Sequence, residues 1–112
     1  MDYTEVLRRL AVSDERFADA CALGPTLVQL DPKTLALVRL AALIAVGGAV
    51  PSYGAETNSA VSAGASPAEI VDVLVGVVSV VGLPSVVAAA PSLALALGYD
   101  VDDALENDGD LD

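Results

Sequence analysis

The side chains able to do chemistry fall in one short run, Ser52, Tyr53, Glu56, Thr57, Asn58 and Ser59, a polar island in a half of the chain that is otherwise apolar. Glu56 is the only charge between Arg39 and Glu69, and Arg39 is the last basic residue of the sequence. A carboxylate in apolar surroundings with a guanidinium nearby suits acid or base catalysis, since burial and an opposite charge move its proton affinity in opposite directions. The same two groups can instead form a partly buried ion pair that fixes helix register. Glu56 is therefore the candidate catalytic residue, with Arg39, Ser52, Tyr53 and Asn58 as candidate substrate-binding groups. Taken singly, Ser52, Asn58 and Ser59 read as solvated or capping residues.

Composition removes other chemistries. The 112 residues include no histidine and one cysteine, so Ser-His-Asp and Cys-His arrangements and histidine metal sites are absent, and neither metal nor cofactor is expected. The glycines of VGGAVPSYG, residues 46–54, lack the lysine and spacing of a phosphate loop. Cys21 has neither a second cysteine nor a basic neighbour and reads as a small core residue. Residues 1–39 hold all five basic residues against six acidic ones, and residues 40–112 hold ten acids and no base, which together give −11. Nothing in such a chain neutralises phosphates, so nucleic acid is excluded as a partner.

The elements that must position the island read as helices. Asp31-Pro32, a cap followed by proline, opens one that runs to Gly47-Gly48. Residues 49–63 form a small-residue helix ended by Gly64. If these two pack as a hairpin, Arg39 lies two turns before the bend and Glu56 about one and a half turns beyond it, so the two can meet. Ser66, Pro67 and Glu69 make the strongest start signal in the chain, a capping box with proline at the first helical position, and Gly82 supplies the stop. The helix between them is apolar on nearly every face and is expected to be buried all round. Its valines favour strands, which leaves an α+β arrangement of the last third as the alternative; length and caps decide for helix. Pro84 opens a last helix that Pro91 is expected to kink or break before Gly98. At the other end, Asp2 with Glu5 at capping-box spacing starts a first helix with a stripe of Tyr3, Val6, Leu7 and Leu10, and Ser13 starts a second that closes at Gly24-Pro25.

The expectation is an all-α fold of about six antiparallel helices, one domain over residues 1–99, with an acidic and disordered tail at 100–112 whose acids do not match a calcium loop. No internal repeat is evident. A hydrophobic fraction of 54% exceeds what one small chain can hide, so an oligomer is expected, with the valine-rich helix or its neighbour at the interface. Residues 73–99 carry no charge, yet their prolines and glycines and the lack of flanking lysine or arginine argue against a membrane span. The opening MDYTEVLRRL lacks the basic-then-apolar order of a signal peptide, which with the single cysteine points to the cytoplasm.

LDPKTLALVRLAALIAVGG (residues 30–48), followed by SAGASPAEIVDVLVGVVSVVGLPSVVAA (residues 62–89), resembles the carboxymuconolactone decarboxylase family, which includes the alkylhydroperoxidase AhpD-like proteins. The resemblance implies a small all-helical protein that assembles into trimers or hexamers. It also implies one of two activities on small molecules, decarboxylation of a carboxylated lactone or peroxiredoxin-like peroxide reduction by a Cys-x-x-Cys pair with a downstream histidine. Counted back from Gly64, the cysteine positions fall near Ala49 and Ser52, and the histidine position falls on or near Glu56. With no thiol at either position, and Cys21 on a different helix, peroxidase activity of that type is expected to be absent. For the decarboxylase, an anionic substrate would be repelled by Glu56 by several kcal/mol at about 4 Å under an effective dielectric of about 20. Protonation of Glu56, compensation by Arg39 and a neutral ligand are the three ways around that repulsion. A binding or structural member that has lost the chemistry is the other possibility.

Overall fold

The computed structural model describes residues 2–12, 15, 16, 19 and 29–99. Most of the helix expected from Ser13, with Cys21, and the whole acidic tail lie outside the described residues. The regular structure is helical throughout: α1 (Tyr3–Ala11), α2 (Pro32–Val46), α3 (Val50–Ser62), α4 (Pro67–Val81) and α5 (Leu83–Ala96). No strand occurs among the described residues, which overturns the α+β alternative. No described helix is long and apolar enough to cross a membrane.

The chain divides into two compact units, residues 1–30 and 31–112. In the first, Asp2 caps α1 by accepting from the Thr4 and Glu5 amides at 2.6 and 3.2 Å. The capping box expected there does not close. Glu5 turns along the helix instead, to Arg8 at 2.8 Å and Arg9 at 2.9 Å, and these two guanidinium donors hold its carboxyl at about 2. Of the expected stripe, Tyr3, Leu7 and Leu10 are exposed.

In the second unit each of the four helices touches the other three. Asp31 caps α2 through the Thr34 amide at 2.9 Å, with Pro32 in the first turn. Ser66 and Glu69 close the capping box of α4, each accepting from the other's amide, at 3.1 and 3.0 Å. One apolar stripe from each helix meets in the core: Ala36, Leu40 and Ile44 from α2, Tyr53 and Ala60 from α3, Ile70 and Leu74 from α4, and Val86, Ala89 and Leu93 from α5. The α4 helix is not buried all round. Ile70 and Leu74 are its buried residues, while Val71, Val75 and Val80 are 45%, 67% and 83% exposed. A helix in a four-helix unit turns one stripe inward, and no further layer of this unit's described residues covers the other side. Nor does Pro91 break α5, which continues to Ala96. Pro91 lies on an exposed part of the helix, where its ring finds room and only the Val87 carbonyl loses its donor.

The two hairpins of this unit share a local design that a search for sequence repeats misses. Gly47 ends α2 at φ 78°, ψ 139° and Gly82 ends α4 at φ 89°, ψ 153°, a region essentially reserved for glycine. Each is followed by an apolar-Pro-Ser helix start, Val50-Pro51-Ser52 and Leu83-Pro84-Ser85. Gly76 is different: it sits in mid-α4 with ordinary helical geometry, exposed, and a Cβ there meets nothing within 4 Å. Gly76→Ala is therefore expected to stabilise the fold by about 0.5–1 kcal/mol, read as a higher urea midpoint at unchanged slope.

The start of α2 is tied to the start of α4 by Lys33 Nζ and Glu69, 2.6 Å apart. That ammonium, and next the Ser66 amide, lower the Glu69 carboxyl below its ordinary value of 4.5. A depressed carboxyl contributes its stability above the unfolded value and loses it as the pH falls through the folded one. Urea midpoints of the native chain should thus fall on acidification from about pH 5, and more steeply than those of Glu69→Gln. Parallel pH profiles would show that Lys33 and Glu69 do not pair in solution.

Candidate active site

The α2–α3 hairpin, the most extensively packed helix pair among the described residues, builds the candidate site. Residues three and four apart share a helix face. On α3 this groups Ser52, Ala55 and Glu56 on one side and Tyr53, Thr57 and Ala60 on the side that enters the core. On α2 the matching face carries Arg39, Ala42, Leu43 and Val46. Together the two faces line a cleft of about 510 Å³. Its wall is alkyl apart from three groups: the exposed Arg39 and Ser52, and the half-buried Glu56.

Arg39 and Glu56 thus share the cleft, as the hairpin geometry implied, but they make no ion pair within 4.0 Å. The register-fixing bridge is not formed. Where one partner is exposed, water solvates it nearly as well as the other charge would, and pairing gains little.

Tyr53 lies elsewhere. It is buried, does not line this cleft, and donates its phenol proton to the Leu43 carbonyl at 3.3 Å. It forms part of a second, smaller cavity of about 240 Å³, shared with Gly47, Gly48, Ser85 and Ser92. One residue of advance turns the α3 face by about 100°, which carries Tyr53 away from Ser52 and into the core. Asn58, about 200° round the helix from Glu56, is exposed and lines neither cavity. Thr57 is fully buried, and its hydroxyl has no hydrogen-bond partner among the described residues.

Sequence reasoning overlooked the apolar wall. Its signal was present in the spacing 39, 42, 43, 46, a single helical stripe. Leu43 is the central member, since its side chain faces the cleft while its carbonyl holds Tyr53. Gly48 gives it room: a Cβ on Gly48 would stand 2.5 Å from Leu43 Cδ1.

A family model described as "Carboxymuconolactone decarboxylase family" matches residues 16–94. The chain belongs to the carboxymuconolactone decarboxylase family. No curated protein and no solved structure matches it. The matched segment contains the whole cleft and both stretches that carry the resemblance. In this carboxymuconolactone decarboxylase family member, Ala49 is the N-cap of α3, Ser52 lies in its first turn and Glu56 one turn further on. The positions assigned by resemblance to a cysteine pair and a histidine therefore do follow one another along a single helix, but their side chains are a methyl, a hydroxyl and a carboxylate. Among the described residues, no group of three or more metal-ligating side chains comes together.

Proposed function

We propose that this family member acts on a small organic molecule held in the α2–α3 cleft, in a decarboxylase-like lyase reaction with Glu56 as general acid/base and Arg39 and Ser52 as binding groups. The observation that carries the reading is a guanidinium and a carboxylate on facing helices, in one cleft, that do not neutralise each other. The volume of about 510 Å³ falls in the range of small-molecule sites, and an alkyl wall with a few convergent polar groups is their usual make-up. When carbon dioxide leaves a carboxylated lactone, the electron pair of the broken carbon–carbon bond remains on the ring carbon and takes up a proton. Glu56, as general acid, would deliver that proton and take one back from water. Tyr53 would act indirectly, holding Leu43 through its carbonyl. Thiol-based peroxide reduction is opposed by Ala49 and Ser52, which offer no thiolate. The openness of the Arg39 end favours a second reading, a cleft that binds without catalysis.

The exposed Val71, Val75 and Val80 support assembly with further copies of the chain, as trimer or hexamer, and a cytoplasmic setting accords with a single cysteine.

The test is thermal melting of the native chain and of Glu56→Gln against carboxylated lactones, quinones and neutral ring compounds. A ligand at a hundred times its dissociation constant adds about 2.7 kcal/mol. A compound that raises the native midpoint and not that of Glu56→Gln supports the reading. If no compound moves either midpoint, the cleft is not a ligand site and the proposal fails.

A further inference from the structure

We infer that the smaller cavity, where the α2–α3 bend meets α5, is a second binding site, for a neutral molecule of about three or four carbons that carries several hydroxyl groups. It lies apart from the reaction proposed for the cleft and stands without it.

The lining includes three side-chain hydroxyls, Tyr53 from α3 and Ser85 and Ser92 from α5. Their spacing puts the two serines on one face of α5, two turns apart, with Ala88 between them. Both serines are half-buried, and neither hydroxyl has a hydrogen-bond partner among the described residues. Tyr53 is buried, and its phenol proton is committed to the Leu43 carbonyl at 3.3 Å, which leaves the phenol oxygen as an acceptor. Hydroxyls drawn out of bulk water without a partner cost stability, and a polar molecule seated among them removes that cost.

The ligand's chemistry follows from the same lining. No charged side chain belongs to it, and apart from the hydroxyls its side chains are aliphatic, Ile44, Val46 and Ala88 among them. An ion of either sign would give up its water here for no counter-charge, and an anion would also meet the field of a chain of net charge −11. The Tyr53 oxygen asks for a donor, which an ether, an ester or a ketone lacks. The serines both give and accept, and a hydroxyl answers them at a single atom. A polyol presents several such groups along a short chain, as two serines two turns apart require. The volume of about 240 Å³ lies below the range of drug-sized sites and is about eight times the share of one water molecule in the liquid, which three or four carbons with their hydroxyls fill.

Amide-resonance titration of the full chain with glycerol, propan-1-ol, propanamide and glycerate, all three-carbon probes, tests this. Glycerol is expected to shift the amides of Val46–Gly48, Tyr53 and Ser85–Ser92 along a saturating curve, and to bind at least about tenfold more tightly than the other three. Ser85→Ala and Ser92→Ala each remove one partner of the triol and should each weaken its binding about three- to tenfold, with urea midpoints close to the native one. Any other probe that binds as tightly as glycerol overturns the polyol assignment, and so does glycerol binding that survives both serine substitutions together. Shifts centred on Arg39 and Glu56 would place the triol in the cleft, and shifts that only grow linearly would show a solvent effect; either result overturns the second site. If no probe gives a saturable shift, the second site falls and the reading of the cleft is untouched.

Discussion

Leu40→Ala is expected to destabilise the helical unit by about 2–5 kcal/mol, a large part of the 5–15 kcal/mol that holds a typical domain together. Leu40 is fully buried near the middle of α2, the helix that touches α3, α4 and α5 at once, so the methyl groups removed are lost from contacts with several neighbours and leave a cavity that no single helix can close. Urea unfolding followed by circular dichroism measures the loss directly. Val80→Ala is the control, with the same kind of truncation at a position 83% exposed and an expected change within about 0.5 kcal/mol at micromolar protein. If Val80→Ala proved as costly as Leu40→Ala, a second copy would have to cover α4, and the cost would vanish on dilution.

Glu56→Gln carries the other large effect. For a compound that the native chain binds and turns over, the substitution should lower kcat by about 10²–10⁴-fold, the usual contribution of a positioned general acid or base. Glutamine keeps the size and the hydrogen-bonding reach of glutamate but neither gives nor takes a proton on the time scale of turnover. Ser52→Ala, one turn earlier on the same face, should raise KM and leave kcat nearly unchanged, because a binding group acts alike on ground state and transition state. A kcat unchanged in Glu56→Gln would remove the carboxylate from the chemistry and leave it a binding group. Folding is not at issue in either variant, since Glu56 is only half-buried and makes no ion pair whose loss would strand a charge.

Much of this architecture was legible because it is written in local chemistry. Asp31-Pro32 and Ser66-Pro67 open α2 and α4 where caps and the proline ring dictate, and Gly47 and Gly82 close them in a backbone region that other residues avoid. The spacing of Arg39 and Glu56 about the bend was likewise enough to bring both to one cleft. What escaped depends on partners. Glu5 has the spacing of a capping box, but two arginines one turn ahead outcompete an amide for it. The valines of α4 announce burial without saying against what, and in one copy of the chain a single stripe finds cover. Pro91 reads as a breaker in isolation, whereas a helix already held by Val86, Ala89 and Leu93 on its inner face tolerates one missing donor on the outer one. Tyr53 reads as a binding group beside Glu56, and Thr57 as part of the same polar island, because they sit among serines; only the rotation of α3 sends both inward.

The room that Gly48 leaves for Leu43 bears on how this protein can diversify. The change from a glycine to an alanine codon is a single base substitution, and the methyl it adds would sit 2.5 Å from Leu43 Cδ1, outside the cleft. Leu43 would have to adopt another rotamer, and with it one wall of the cleft would move while Arg39, Ser52 and Glu56 kept their identities. On the proposed function, substrate range is then open to mutation at a loop position outside the cleft lining, and a lineage could explore new ligand shapes without changing Arg39, Ser52 or Glu56.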